Sequence, residues 1–170
     1  MKRNKSLYTV LAIGAIGEFV GHAAWAVTAK DTFVKLLTGS LDHALGVTMS
    51  TSTGETVVRA IGFFDFGIAL VLVAMLIGNI TWRGILYRLA YSSTAMVLYS
   101  WAAIWGFVTA ASRVTAVGVL FPAFWDLVER APNFMLPAAL VLLVRHHRAD
   151  HRAIRGDDTV ATLLAARETV

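Results

Sequence analysis

Trp125-Asp126-Leu127-Val128-Glu129-Arg130-Ala131-Pro132-Asn133-Phe134 is the stretch that decides the fold. It sets Asp126, Glu129 and Arg130, an amide and a proline inside an otherwise apolar run over 117–144. That run is long enough to cross a bilayer, which takes roughly 20 apolar residues. Charges at such depth are costly, and they face a bundle interior, a water-filled cavity or one another. The stretch therefore reads as the polar side of a membrane helix, and the fold turns on what its charges meet.

Composition agrees. Of 170 residues, 57% are hydrophobic and 15% charged, against about 25% charged in an ordinary soluble domain. Mean hydropathy is +0.65. Several apolar segments reach span length, so one integral membrane domain is expected. The chain has no cysteine, which excludes disulfides, thiolate metal sites and cysteine nucleophiles. The net charge of +4 is carried mostly beside the spans, so it does not point to nucleic acid.

Spans are expected at about 7–29, 57–79, 88–111 and 117–144, giving an all-α four-helix transmembrane bundle. A polar tail follows over 146–170, with Asp158 placed to cap a short helix over 160–167. A signal peptide is the rival reading of the basic start and of Ala26-Val27-Thr28-Ala29, but Glu18 and His22 interrupt its apolar region. The segment 30–56 is of mixed polarity and reads as a loop, with a turn or extended hairpin near Thr48 to Gly54. Four spans put both termini on one side. That side, with the turn around Arg83 and Arg88, carries ten Lys and Arg, whereas Lys30, Lys35, Arg59 and Arg113 make four on the other. The positive-inside rule then puts both termini in the cytoplasm.

Depth gives the functional pointer. At about 1.5 Å per residue, Glu18 lies roughly 15–16 Å from one boundary, with His22 one turn higher. Asp65, Asp126 and Glu129 enter from the other side to roughly 12–18 Å. Polar groups of separate spans thus reach the same level. Helical periodicity puts Glu18 and His22 on one face of the first span, and Gly62, Asp65 and Ala69 on one face of the second. Tyr99 and Gly106 share a face of the third, and Asp126, Glu129 and Asn133 a face of the fourth, with Arg130 at its border. Pro132 and Pro137 are expected to free the carbonyls of Val128 and Asn133. The candidate ligand-binding set is Glu18, His22, Asp65, Tyr99, Asp126, Glu129, Arg130 and Asn133.

Plainer readings stand beside that set. Glu18 and His22, at i and i+4, with Asp65 and Glu129 have the donor types of a metal site, yet match no metal motif, so a packing pair is preferred and no metal is assigned. A haem would need a second histidine at membrane depth. Arg130 pairs most naturally with Asp126 at i−4; Asp65 is expected to meet Arg59 or, equally, a partner on another span, because Arg59 and Asp65 sit on different faces of one helix. Carboxyls left without a cation tend to hold their proton, which suits a proton relay or a hydrogen-bonding ligand site. Trp25, Trp101, Trp105 and Trp125 suit interface anchoring or stacking on a flat ligand.

Arg59-Ala60-Ile61-Gly62-Phe63-Phe64-Asp65, followed by Gly67-Ile68-Ala69-Leu70, resembles the second span of the DoxX-like membrane proteins. Ala29-Lys30-Asp31 and Phe33-Val34-Lys35-Leu36 resemble the end of their first span. The likeness covers about 8–144, with Asp65 where that family often has glutamate. It implies a small bacterial inner-membrane bundle linked to a quinone-coupled redox system, with quinone as the candidate cofactor. By architecture alone the chain is also similar to the emopamil-binding and sterol-isomerase group. The resulting expectation is a binding or accessory subunit whose intramembrane pocket holds a lipid-like ligand or docks a redox partner or a second copy. The alternatives are an acid–base enzyme using Glu18 or His22 on a lipid-like substrate, and a proton or ion carrier.

Overall fold

The structure, a computed structural model, describes residues 2–81, 84–117 and 121–167, with side chains over 5–81, 84–117 and 124–152. Those residues form helices joined by short connections: α1 (Lys2–Val27), α2 (Asp31–Leu45), α3 (Thr51–Thr81), α4 (Gly84–Ala90), α5 (Ser93–Thr115), α6 (Phe121–Glu129) and α7 (Ala131–Arg167). Trp82 and Arg83, read as part of a basic turn, lie outside the described residues. Four stretches are long and apolar enough to cross a membrane: Lys5–Val27, Thr51–Thr81, Ser93–Thr115 and Phe124–Arg152.

Side-chain placement supports the membrane reading. On α1 the buried positions are mainly small, with Ala12, Ala15, Ala23 and Ala26 interleaved with Tyr8 and Phe19. The larger aliphatics Leu7, Val10, Ile13 and Val20 point outward. A soluble helix would reverse that order, because water drives apolar groups inward. In lipid, small residues let helices approach and bulky apolar residues face the chains.

α1 packs against α3 and α7, and α7 against α5. α3 and α5 are joined chiefly through side chains, among them Asp65 to Trp105 and Met75 to Tyr99. Two glycines set the spacing. A Cβ on Gly62 would stand 2.6 Å from the Val27 backbone nitrogen. A Cβ on Gly106 would run into the Asn133 carbonyl and lie 2.6 Å from its carbon. Pro137, buried inside α7, has no N–H, so that Asn133 carbonyl lacks its usual intrahelical donor. The freed carbonyl faces Gly106, where only a glycine backbone fits.

Several local readings need correction. The segment read as a loop contains α2, whose apolar Phe33, Val34, Leu37 and Leu41 recur at helical spacing. Gly46 closes α2 in the left-handed region at φ 66°. Its N–H reaches Asp42 O, and the Val47 N–H reaches Leu41 O at 3.1 Å. The Gly46 bond is that of an αL cap, with glycine in the left-handed position. The stretch read as a turn near Thr51 is the first turn of α3, because Ser50 Oγ accepts from the Thr53 N–H at 3.2 Å. The third span starts at Ser93 instead of Arg88. Ser92 caps α5 by accepting from the Ala95 N–H at 3.0 Å, and α4 stands before it as a separate piece.

The run 117–144 is not one helix. α6 ends at Glu129, Arg130 lies in a turn, and α7 begins at Ala131. Pro132 therefore falls in the first turn of α7, where its missing N–H costs nothing, and it does not free the Val128 carbonyl from a continuous helix. α7 itself runs on to Arg167, through the place where a separate short helix over 160–167 was expected.

Candidate functional site

Glu18, Phe19 and His22 of α1, Asp65 of α3, Trp105, Gly106 and Thr109 of α5, and Asn133 of α7 line one small pocket. Every spanning segment contributes to it. Its volume is about 10 Å³, room for about one water or one polar ligand atom.

The groups in this pocket are tied in pairs. Trp105 Nε1–H donates to Asp65 Oδ1 at 3.0 Å, and Asp65 is only 1% exposed. The Asn133 amide nitrogen stands 3.2 Å from His22 Nε2, donating to the ring nitrogen in that assignment. Asn133 is 5% exposed, and its Oδ1 has no hydrogen-bond partner among the described residues. Turning the amide over would change which end is satisfied, not the outcome: one polar end of this pocket-lining residue would still lack a partner among the described residues. Leaving such a group unmet costs about 1–3 kcal/mol.

His22, Trp105 and Thr109 also belong to the wall of a second, larger cavity of about 410 Å³. Phe33, Leu37 and Leu41 of α2, Val58 and Ile61 of α3, and Val108 of α5 line it as well. The cavity opens where α3 and α5 are not closely packed, and α2 bridges both helices there. The start of α2 is fixed to α1 by aromatic contacts. Phe33 stands edge-on to His22, with centroids 5.4 Å apart, and to Trp25 at 6.2 Å. Lys30 Nζ sits 3.5 Å over the Trp25 ring. Arg113 lines the cavity too, and both it and Arg130 lie within electrostatic range of His22.

Glu18, His22, Asp65 and Asn133 of the sequence-derived set thus meet in one pocket. Tyr99 is buried elsewhere. Its hydroxyl meets that of Tyr8 at 2.5 Å and donates to Met75 Sδ at 3.2 Å. Asp126 and Glu129 are exposed on α6. The break at Arg130 takes them off the face that carries Asn133. Among the described residues the Lys or Arg ion pair is Glu55 with Arg59 at 3.9 Å, and His146 Nε2 stands 3.5 Å from an Asp150 carboxylate oxygen. The Asp126–Arg130 pair expected from i, i+4 spacing is not formed, because that spacing needs an unbroken helix. Of the two partners expected for Asp65, it is the one on another span that forms: Trp105 of α5 donates to it, whereas Arg59 turns to Glu55. No group of three metal-ligating side chains gathers among the described residues.

Sequence reasoning assigned Trp105 to anchoring or stacking and gave no role to Thr109 or to the apolar face of α2. Thr109 lies one turn beyond Trp105, which is the only sequence signal that would have linked them. Comparison with known proteins gives no matching family, no matching curated protein and no matching solved structure.

Proposed function

We propose that this chain is a multi-pass membrane protein that binds a lipid-like molecule with an oxygen-bearing head and an apolar body. One observation carries the reading. Asn133, whose Oδ1 has no hydrogen-bond partner among the described residues, lines a one-atom polar pocket, and that pocket adjoins a 410 Å³ apolar cavity along His22, Trp105 and Thr109. Ligand sites commonly take about 300–1,000 Å³, mostly apolar, with a few polar groups that fix orientation. A carbonyl or hydroxyl of the head would meet Asn133 and His22, and its ring or chain would lie against Phe33, Leu37 and Val108.

A quinone has this make-up, with carbonyl oxygens on a flat ring and an isoprenoid body. The Arg59, Gly62 and Asp65 spacing, which resembles the DoxX-like proteins, supports the same choice. In this proposal the chain is a binding or accessory subunit of a quinone-linked redox system in a bacterial inner membrane. Both termini are cytoplasmic, on the strength of the Lys and Arg bias.

Solvent extraction and mass spectrometry of the purified protein test the proposal. The wild type is expected to retain a quinone or another small isoprenoid or sterol-like molecule near one per chain. Val108→Trp, which fills the cavity, and Asn133→Leu, which removes the polar contact, are each expected to lose most of it. Retention of phospholipid alone, or equal retention in a folded Val108→Trp variant, would overturn the proposal.

A further inference from the structure

At the other end of the bundle, α4, the turn before α5 and the far part of α7 enclose a cleft of about 350 Å³. It is lined by Arg88, Tyr91, His147, Arg148, His151 and Arg152. The α7 residues come at i, i+1, i+4 and i+5, which stacks them as two adjoining columns on one helix face. Arg88 of α4 completes the cleft. Among the described residues, three guanidinium groups and two imidazoles line it, and no carboxylate does. Asp150, the acidic residue on this turn of α7, is engaged with His146 instead.

The cleft is built, not a loose collection of surface cations. Arg148 Nη1 donates to Ser93 Oγ at 2.9 Å, which ties α7 to the start of α5. His147 packs on Tyr91 with centroids 4.2 Å apart, and His151 packs on His147 at 4.4 Å. Tyr91 is held in turn by its hydroxyl, which donates to Asn79 Oδ1 at 2.8 Å. Guanidinium groups held side by side repel one another, and an anion offsets that repulsion. Arginine forks bind phosphate oxygens in pairs, with directional charge-assisted bonds.

Position narrows the anion. Asn133 meets His22, which lies roughly 21 Å from one membrane boundary at about 1.5 Å per residue. Arg148 lies roughly 22 Å farther along α7 toward that boundary, so the cleft sits at headgroup level. Beside it, Ile85 is 80% and Val97 69% exposed. Ile85 is one turn before Arg88, and Val97 one turn after Ser93, so both offer apolar surface to an acyl chain. We propose that this cleft binds the phosphate of an anionic phospholipid, held by Arg88, Arg148 and Arg152, with its acyl chain along α4 and α5. Basic pockets between membrane helices are a recurrent way to hold such headgroups.

Native mass spectrometry of the detergent-solubilised full chain, titrated with phosphatidylglycerol or phosphatidylcholine, reads the binding. Wild-type protein is expected to hold phosphatidylglycerol in preference to phosphatidylcholine. Arg152→Gln should weaken phosphatidylglycerol binding about fivefold, the equivalent of about 1 kcal/mol per cation near the surface. The Arg88→Gln, Arg152→Gln pair should weaken it further, with phosphatidylcholine binding unchanged. Melting curves in phosphatidylcholine show that each variant is folded. Equal binding of the two lipids, or folded variants that bind phosphatidylglycerol like the wild type, would overturn the proposal. Inorganic phosphate forms the last arm. If it raises the melting temperature as much as phosphatidylglycerol does, and the lipid adds nothing further, the site takes free phosphate and the lipid assignment fails.

Discussion

Gly106→Ala is the sharpest test of the helix packing that forms the polar pocket. The new Cβ would stand 2.6 Å from the Asn133 carbonyl carbon and 3.0 Å from the Phe134 nitrogen, and closer still to the Asn133 oxygen. Carbon contacts relax to roughly 3.5–4.0 Å, so α5 and α7 must part by about 1 Å or more there. All three obstructing atoms are backbone, and no flexible side chain can yield. Overpacking of this kind costs about 1–3 kcal/mol. It is offset in part by the roughly 0.5–1 kcal/mol that alanine gains over glycine within a helix. The shift also bears on the site, because it moves Asn133 from its place 3.2 Å from His22. Gly17→Ala is the control, since nothing lies within 4 Å of its Cβ. Thermal melts in one detergent, with ligand retention read in parallel, decide the matter. Gly106→Ala is expected to melt lower and lose ligand, while Gly17→Ala melts at or slightly above the wild-type temperature. Matching behaviour of the two variants would refute the close α5–α7 approach.

Trp105→Phe removes the donor to Asp65 and should cost about 1–3 kcal/mol; adding Asp65→Leu should recover part of that loss, seen as a non-additive melting shift in a double-mutant cycle. Arg130→Leu and Asp126→Leu should instead add within about 0.5 kcal/mol, as sites without a shared contact do, and a coupling above 1 kcal/mol in the same assay would mean the pair forms after all.

Part of the candidate site was open to sequence reading because depth along a helix is simple arithmetic. A span must be apolar for roughly 20 residues, and each residue adds about 1.5 Å. Glu18, His22 and Asp65 therefore had calculable heights before any packing was known. The same arithmetic misled at Asp126 and Glu129, because it assumed a continuous helix through Arg130. One turn of non-helical backbone resets the facing of everything before it, and no periodicity in the run over 117–144 marks that break. Trp105 shows the opposite limit. Its indole suits anchoring, stacking or hydrogen bonding equally well, and only the approach of α3 selects the bond to Asp65.

The sequence by itself determined a helical bundle with spans of bilayer length, because in lipid every backbone polar group must be satisfied inside its own helix or a closed barrel. It also led to the expectation of polar groups between the spans, because lipid offers them nothing; Glu18, His22, Asp65 and Asn133 lie there, whereas Asp126 and Glu129 are exposed on α6. Only the tertiary structure decided which of those groups meet. The partners of Asn133 and Asp65 are set by the Gly106 and Gly62 approaches, by the break at Arg130 and by Pro137. The amphipathic α2 likewise became a wall of the apolar cavity only when it bridged α3 and α5. A short helix of mixed polarity has no fixed place of its own, and it settles where neighbouring helices leave apolar surface uncovered.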